Sequence, residues 1–200
     1  MTPAEDKALE EFIHEQYTKG YIRPSKSPYM SPFFFIKKQD GKLRPIQDYR
    51  RLNSHTIKIQ YPLPLIADLT SSFTGAHIFT KLDIRWGYNN VQIKEGDEYK
   101  AAFKTKYGLW EPTVMFFGLC NSPSTFQAMM DWIFRPIIDK WEPLGTKVGK
   151  YMDDIAVATS TNLQDHITCV MEILELAMRY NLFFKPEKCI FHAPRIDYLG

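Results

Sequence analysis

The sequence of 200 residues is long enough to bury one sizeable core, and its 44% hydrophobic and 24% charged residues are ordinary for a soluble globular chain. It contains no run of 18 apolar residues, and its first residues lack the basic and apolar segments of a secretory signal, so neither membrane spanning nor export is expected. Its three cysteines form no Cys-x-x-Cys pair, which favours reduced thiols inside a cell.

The net charge of +2 is unevenly distributed along the chain. Residues 37–51 contain six basic residues against two acidic ones, a local excess of +4 that is larger than that of the whole chain. Two interpretations of this segment stay open: a solvated charged face, or a surface that contacts phosphate or nucleic acid.

The N-terminal segment has the signature of an α-helix. Thr2 is suited to be its N-cap, Pro3 its first residue, and Glu5 completes a capping box, while Gly20 provides the stop. Its apolar residues recur on one face and are Leu9, Phe12, Ile13 and Tyr17.

A strand pair and a short helix are predicted next. Residues 33–36 are typical of a buried strand, residues 39–42 of a hairpin turn because Asp-Gly tolerates positive φ, and residues 44–49 of the return strand. Pro62 and Pro64 precede a helix that contains Leu65, Ile66, Leu69 and Phe73.

The remaining chain mixes strands and helices. Strands are predicted at residues 77–84, 88–93 and 99–105, and the strongest helical pattern begins at Ser122. A second amphipathic helix runs from Asn162 to a cap at Asn181. Because no regular βαβ period is present, the sequence predicts an α+β fold with an antiparallel sheet.

Two adjacent carboxylates, Asp153 and Asp154, lie at the tip of a predicted β-hairpin. Carboxylates about 4 Å apart repel by roughly 4 kcal/mol near a protein surface, a cost that a divalent cation removes. Asp83 supplies a third carboxylate at a predicted strand end, although taken alone it is equally consistent with a residue that caps a turn. Three such carboxylates can hold two metal ions that activate a 3′-hydroxyl and neutralise a pyrophosphate leaving group.

Three segments then resemble the motifs of reverse transcriptases in order and spacing. They are KLDIRWGY at residues 81–88, FGLCNSPSTFQ at 117–127 and YMDD at 151–154. In particular they resemble the polymerase domain of gypsy-type long-terminal-repeat retrotransposons, and the likeness extends from residues 22–29 through 48–53 to 196–200.

The resemblance implies a right-hand polymerase with an antiparallel palm sheet backed by helices and with the thumb absent. Fingers are expected at about residues 20–75 and 88–118, and the palm at about 76–87 and 119–200, ending in the primer-grip hairpin. Thumb, ribonuclease H and integrase would belong to the remainder of the Pol polyprotein. Without a thumb, the grip on a duplex is expected to be weak and strongly salt-dependent.

The implied activity is RNA-directed DNA polymerisation with two Mg²⁺ ions, for which Mn²⁺ could substitute. The implied metal ligands are Asp83, Ile84, Asp153 and Asp154. The implied catalytic residues are Asp83, Asp153, Asp154 and Lys188, the last as the acid that protonates the leaving pyrophosphate. Lys185 competes for that role, and a solvated lysine is the plain alternative.

Further residues resemble the nucleotide-binding set. Tyr88 resembles the steric gate that excludes a 2′-hydroxyl, with a core tyrosine as the alternative. Lys37 and Arg44 resemble the fingers residues that close on the triphosphate, with Lys38 as the register alternative to Lys37. Phe117 and Gly118 resemble the nucleotide-pocket segment, in which the glycine permits a close approach of the template base or nucleotide.

The implied contacts with template and primer are Arg50, Asn121, Gln127, Tyr151 and Met152. The helix from Ser122 would lie under the template, with Asn121, Ser124 and Gln127 on its exposed side; for Gln127 a merely solvated helix residue is the alternative. The sequence departs from the family at Phe116, where proline is usual, and at residues 147–150, which are unusually polar. Lys150 is expected either to face solvent or to pair with a nearby acid.

The expected partners are an RNA or DNA template with its primer, deoxynucleoside triphosphates and the remainder of the polyprotein, without a membrane. The family resemblance implies a virus-like particle in the cytoplasm, with the nucleus left open. Two alternative functions stay open: a catalytically impaired nucleic-acid-binding remnant, and a metal-dependent nuclease that uses the same carboxylates.

Overall fold

A computed structural model of the chain describes residues 2–37, 41 and 43–199. Lys38 and most of the predicted turn at residues 39–42 lie outside the described residues. Contacts divide the chain into two compact units, of which unit 1 comprises Met1–Lys58 with Tyr88–Ser122 and unit 2 comprises Ile59–Gly87 with Pro123–Gly200. The assignment of fingers and palm to particular ranges stays a prediction.

Five α-helices and nine strands occur in the described part of the chain. The helices are α1 (Pro3–Thr18), α2 (Arg50–His55), α3 (Ile66–Ser72), α4 (Ser122–Trp141) and α5 (Leu163–Arg179). The strands are β1 (Ile22–Pro24), β2 (Ser31–Lys37), β3 (Leu43–Gln47), β4 (Ile78–Asp83), β5 (Phe103–Thr105), β6 (Gly108–Pro112), β7 (Thr146–Tyr151), β8 (Asp154–Thr159) and β9 (Ile190–Ala193). Among these helices, none combines the length and the apolar character needed to cross a bilayer.

Each unit contains one sheet. The sheet of unit 1 has the order β1-β6-β5-β2-β3, and its pairs are antiparallel except for the short parallel pair of β2 with β5. The sheet of unit 2 has the order β7-β8-β4-β9 and is antiparallel throughout. The predicted α+β class with an antiparallel sheet is therefore confirmed.

Helix α1 begins as its sequence predicts. The Thr2 hydroxyl accepts a hydrogen bond from the Glu5 N–H at 3.3 Å, and the Thr2 N–H donates to the Glu5 carboxylate at 2.7 Å. Leu9 and Ile13 are buried in the core of unit 1, whereas Tyr17 is 54% exposed and packs edge-on against Trp110. The predicted apolar face is therefore the packed one, except at its last residue.

Strand β2 exists as predicted but is not buried on both faces. Phe33 and Phe35 contact the core of unit 1, whereas Phe34 and Ile36 are 44% and 48% exposed. The expectation of a buried strand is wrong because successive side chains of a strand project to opposite faces, and only one face of this sheet meets the core.

Of two other predicted strands, the one at residues 88–93 is replaced by a 3₁₀ turn, and the one at 99–105 is shortened by another to β5. Gly87–Asn90 is such a turn, and the Asn89 side chain within it donates to the Met115 carbonyl at 2.9 Å. A second turn, Glu98–Ala101, occupies the first half of the strand predicted at residues 99–105. The Glu98 carboxylate accepts the Gly96 N–H at 2.6 Å and lies 3.4 Å from the Arg23 guanidinium. These contacts override local strand preference.

The helices of unit 2 agree with their patterns. Helix α4 buries the apolar stripe that includes Phe126, Met130, Phe134 and Ile137. Helix α5 starts at an Asn162 cap whose side chain accepts the Asp165 N–H at 2.9 Å. The chain leaves α5 through Asn181, whose φ is +54°.

Strand β7 contains a glycine that its surroundings require. A Cβ atom at Gly149 would lie only 2.4 Å from Cζ of Phe73, the residue that ends α3. The polar segment 147–150 therefore contains one position fixed by packing, and Lys150 within it pairs with Asp131 at 2.6 Å. Of the two expectations for Lys150, pairing with a nearby acid is confirmed.

Candidate active site

The YMDD segment forms a tight turn between β7 and β8. Tyr151 and Asp154 are the last paired residues of the two strands, so Met152 and Asp153 form a two-residue loop. Met152 has a φ of +54°, a left-handed conformation that costs an L-residue about 1–2 kcal/mol. Its N–H donates to the Gln127 side-chain oxygen at 2.9 Å. The turn is therefore strained at one residue and held there by helix α4.

The sheet of unit 2 brings the three candidate carboxylates to one edge. Asp83 is the last residue of β4 and lies directly opposite Asp154, the first residue of β8. The N–H of Ile84 donates to the Asp153 carbonyl at 2.8 Å, which ties the end of β4 to the turn. Asp83 precedes the adjacent pair Asp153 and Asp154 by 70 residues in sequence, yet all three lie at the same end of these paired strands.

The segment after β4 also approaches the turn closely. A Cβ atom at Gly87 would lie 3.4 Å from Cβ of Asp153 and 3.5 Å from Cζ of Phe126. A methyl group here would make ordinary van der Waals contacts with both side chains, so the chain after β4 passes directly beside the turn.

The electrostatics of this edge are those of crowded acids. Burial raises the pKa of the Asp153 carboxyl above its usual value, and the nearby charges of Asp154 and Asp83 raise it further. Lysines surround the other two acids: Nζ of Lys185 lies 2.5 Å and Nζ of Lys188 3.2 Å from the two oxygens of Asp83, and Nζ of Lys81 lies 3.6 Å from Asp154. The hydrogen bond to Asp83 raises the pKa of Lys188.

Lys185 and Lys188 differ in exposure although both contact Asp83. The side chain of Lys185 is 24% exposed, whereas that of Lys188 is 58% exposed. Lys188 is therefore not merely solvated, and proximity to Asp83 does not separate it from its competitor.

In the part of the chain that the structure describes, no three Asp, Glu, His or Cys side chains already form a group that could hold a metal ion. At this edge the carboxylates of Asp83 and Asp154 are engaged by lysines instead. The donor set nevertheless fits a hard divalent cation, because it offers carboxylate oxygens whose mutual repulsion a cation relieves. The lysines on Asp83 would compete with such a cation for the same carboxylate oxygens.

In unit 1, Phe117 contacts two other candidate nucleotide-binding residues, Tyr88 and Arg44. The Phe117 ring is 57% exposed, and the Tyr88 ring packs against it with centroids 4.8 Å apart. The Arg44 guanidinium lies 5.0 Å from the centre of the Phe117 ring. Tyr88 is half-buried in unit 1, and its role as the steric gate stays a prediction.

Lys37 does not accompany Arg44. In the β2–β3 pair Arg44 is opposite Ile36, whereas Lys37 is opposite Leu43. Because side chains alternate along a strand and directly opposite residues share a face, Lys37 and Arg44 project to opposite faces of the sheet. The register thus places the two side chains on different faces in this structure, and their closing on one triphosphate stays a prediction; the alternative, Lys38, lies outside the described residues.

Gly118 is explained by the protein itself. Its φ is +98°, and a Cβ atom there would lie 3.4 Å from the Gln47 carbonyl oxygen. The Asn53 side chain holds the same loop, since it donates to the Gly118 carbonyl at 2.8 Å and accepts the Cys120 N–H at 2.9 Å. The positive φ is what favours glycine here, and Asn53 is a positioning residue that the sequence did not indicate.

Of the predicted nucleic-acid contacts, Arg50 and Asn121 form side-chain hydrogen bonds within the protein, whereas Tyr151 and Met152 are partly exposed. Arg50 grips Asp48 with two hydrogen bonds of 2.8 and 2.6 Å, which lower the pKa of Asp48 to about 2. Asn121 donates to the Ile57 carbonyl at 2.9 Å. Tyr151 and Met152 are partly exposed at the hairpin.

Gln127 contradicts both of its expected roles, template contact and solvated helix residue. Its side chain is completely buried, because it is turned inward to the Met152 N–H. The departure at Phe116 has a packing reason as well, since this buried ring lies edge-on to Phe12 in the core of unit 1.

Comparison with solved structures identifies the fold as that of reverse transcriptase polymerase domains. The prototype foamy virus protease–reverse transcriptase matches with a TM-score of 0.86 at 20% identity, covering 100% of this chain and 26% of the viral one. The foamy viral enzyme in complex with an RNA/DNA hybrid matches with a TM-score of 0.88 at 18% identity, covering the same shares.

Sequence comparison defines the family. The profile of the family described as reverse transcriptase (RNA-dependent DNA polymerase) matches residues 36–200. The transposon Tf2-3 and Tf2-7 polyproteins of Schizosaccharomyces pombe are each 32% identical over all 200 residues. The chain belongs to the reverse transcriptase family, and the predicted relationship to gypsy-type long-terminal-repeat retrotransposons is confirmed. It spans 14% of the length of these polyproteins.

Proposed function

We propose that the chain catalyses RNA-directed DNA polymerisation as the polymerase portion of a longer retrotransposon polyprotein. In this reaction a primer 3′-hydroxyl attacks the α-phosphate of a template-paired deoxynucleoside triphosphate, and pyrophosphate leaves. The observation that carries the proposal is the pairing of Asp83 with Asp154 beside the strained Met152–Asp153 turn. A non-catalytic remnant would have no need to keep three repelling acids at one edge.

Asp83, Asp153 and Asp154 would hold two Mg²⁺ ions, with the Ile84 main chain beside them. When bound, such ions activate the 3′-hydroxyl and neutralise the charge that develops on the transferred and leaving phosphates. Asp83 and Asp153 would be the shared ligands and Asp154 the supporting carboxylate. The strain at Met152 fits this role, because unfavourable backbone conformations concentrate at functional sites.

The lysines at Asp83 provide the acid for the leaving group. With Asp83 holding a metal ion, the ammonium groups of Lys185 and Lys188 would be able to contact an anion at the same edge. Lys188 is then the proton donor to pyrophosphate, a contribution of roughly 10²-fold. Lys185, which is less exposed, holds the charge of the same leaving group.

Tyr88, Phe117 and Arg44 form the surface that receives the deoxynucleotide. The Tyr88 ring, supported by Phe117, excludes a 2′-hydroxyl by its shape. Arg44 contributes a guanidinium that can grip phosphate oxygens in bidentate fashion. The expected macromolecular partner is a template–primer duplex, as the RNA/DNA hybrid bound by the foamy viral relative suggests.

The direct test is extension of a DNA primer on an RNA template with Mg²⁺ by the longer polyprotein segment that carries this chain. We expect template-directed extension that is lost in Asp153→Asn and retained in Asp139→Asn, which alters only an exposed ion pair with Arg135 on helix α4. Duplex binding without extension would identify a non-catalytic remnant. Cleavage that disappears in Asp153→Asn would identify a nuclease.

A further inference from the structure

A buried chain of hydrogen bonds lies behind the catalytic turn within unit 2. Gln127 of helix α4 is completely buried, and its side-chain oxygen accepts the Met152 N–H at 2.9 Å. Its side-chain nitrogen donates to Oδ1 of Asp131, one helical turn further along, at 3.0 Å. Helix α4 therefore contacts the turn through one amide group that is itself held from behind.

Asp131 is the anchor of this chain. Its Oδ1 also accepts Nζ of Lys150 at 2.6 Å, and its Oδ2 accepts the hydroxyl of Tyr61. These partners come from α4, from β7 and from the segment before α3, so one carboxylate joins three parts of unit 2. The side chain of Lys150 is only 13% exposed, which limits the screening of the pair by water.

The chemistry of Asp131 dictates how the Gln127 amide is oriented. An ionised carboxylate only accepts hydrogen bonds, whereas an amide has one accepting and one donating end. Facing Asp131, Gln127 must present its NH₂ group to the carboxylate, which leaves its oxygen for the Met152 N–H. With the amide reversed, an NH₂ group would face an N–H, and the turn would lose its hydrogen bond.

We propose that Asp131 is a positioning residue for the catalytic turn: it fixes the orientation of the Gln127 amide, which holds Met152 at positive φ and thereby sets the place of Asp153. This inference rests on the proposed function for its catalytic consequence, because Asp153 is the residue positioned. Its structural half, that Asp131 orients the Gln127 amide and so holds Met152, concerns the metal-free chain alone.

Amide hydrogen exchange of Met152 tests the structural half without metal or substrate. In chain labelled with ¹⁵N-methionine, Asp131→Ala should accelerate Met152 exchange by about fivefold or more, the factor expected for one lost hydrogen bond. Asp131→Asn can keep the acceptor at Oδ1 and should stay within about twofold of wild type. Asp139→Ala is the matched control, because it removes an exposed helix α4 ion pair that does not reach the turn.

Equal Met152 exchange in Asp131→Ala and Asp139→Ala would overturn the proposal. Should Asp131→Ala fail to fold, Asp131→Leu restores the volume without the acceptor and is held to the same criterion. In single-turnover incorporation, Asp131→Ala should lower the maximal rate at least tenfold. It should leave the apparent Kd of the nucleotide within about twofold, since Asp131 lies behind the turn and is not part of the proposed nucleotide surface. A weaker apparent nucleotide affinity with an unchanged maximal rate would contradict this role. Absence of polymerase activity in wild type would remove the proposed function but leave the exchange result decisive for Asp131.

Discussion

Asp83 and Asp154 lie directly opposite each other on β4 and β8, and each carboxylate forms its own ion pairs with lysine side chains. In the proposed function, a metal ion at this edge would compete with these lysines for the carboxylate oxygens. The lysines stabilise the acids in the metal-free chain, and they oppose the cation that the acids would hold. Replacing one of these lysines should therefore change the affinity for a metal ion.

Replacing Lys185 with methionine should strengthen divalent-ion binding by the chain. The Lys185 ammonium contacts Oδ1 of Asp83 at 2.5 Å with 24% of its side chain exposed, so its removal frees that oxygen and removes a nearby positive charge. We expect the Kd for Mn²⁺, measured by electron paramagnetic resonance, to fall about tenfold, or ~1.4 kcal/mol. Lys188→Met should have a smaller effect because this side chain is 58% exposed and better screened. Unchanged or weaker Mn²⁺ binding in Lys185→Met would refute this competition.

Tyr88→Ala should weaken discrimination against ribonucleotides. Removing the ring that packs on Phe117 opens the space in which a 2′-hydroxyl would lie, so the ratio of kcat/KM for deoxy- over ribonucleotide should fall by about 10²-fold. Tyr88→Phe keeps the ring and should keep most of the ratio. A Tyr88→Ala enzyme that discriminates as well as wild type would show that selection lies elsewhere.

Acid should destabilise unit 2 through His166. This residue is 1% exposed, its ring nitrogens lie 2.7 and 2.8 Å from the hydroxyls of Thr80 and Thr159, and burial lowers its pKa from 6.5 to about 4. Below pH 6.5 the unfolded chain binds a proton that the folded chain refuses until about pH 4. The contribution of neutral His166 to the free energy of unfolding is therefore fully present above pH 6.5. It is lost as the pH falls, by roughly 2 kcal/mol at pH 5.

The measurement is the free energy of unfolding in urea at pH 7.5 and pH 5 for wild type and His166→Gln. Glutamine can bond both threonines but cannot take up a proton in this range, so its stability should fall less with pH. Parallel pH dependence in the two proteins would rule out His166 as the source.

Gly149→Ala should destabilise the chain because its new methyl group would lie 2.4 Å from Cζ of Phe73. We expect a loss of about 1–3 kcal/mol in the free energy of unfolding, the usual cost of overpacking. Phe73→Leu in the same chain should recover part of that loss, and a double-mutant cycle measures the coupling. Strictly additive effects of the two substitutions would mean that the side chains do not meet.

The elements that the sequence predicts well are those with local signals. Helix α1 has its complete capping box, α4 its apolar stripe, and the hairpin of β7 and β8 is marked by two acids between apolar or β-forming segments. Each of these signals acts within a few residues, so neighbouring sequence suffices to fix the element.

The errors arise where distant contacts decide. The turn at Gly87–Asn90 is held by the Met115 carbonyl, and Gln127 is drawn inward by an N–H 25 residues away, which no helical pattern reveals. The motif alone also does not show that Lys37 and Arg44 start from opposite faces of the sheet, because that depends on the register of β2 with β3. The apposition of Asp83 with Asp154 is also long-range, but the two predicted strand ends suggest it and the order of the family motifs supports it.

The central claim is that Asp83 acts together with the turn acids in nucleotide transfer, and single-turnover incorporation of one deoxynucleotide tests it most directly. The enzyme would be the longer polyprotein segment on an RNA template, compared as wild type, Asp83→Asn and Asp139→Asn at saturating duplex. We expect Asp83→Asn to lose about 10²–10³-fold in rate, the several kcal/mol that metal-assisted charge stabilisation supplies, with duplex binding and the control unchanged. Incorporation by Asp83→Asn at the wild-type rate would contradict the account.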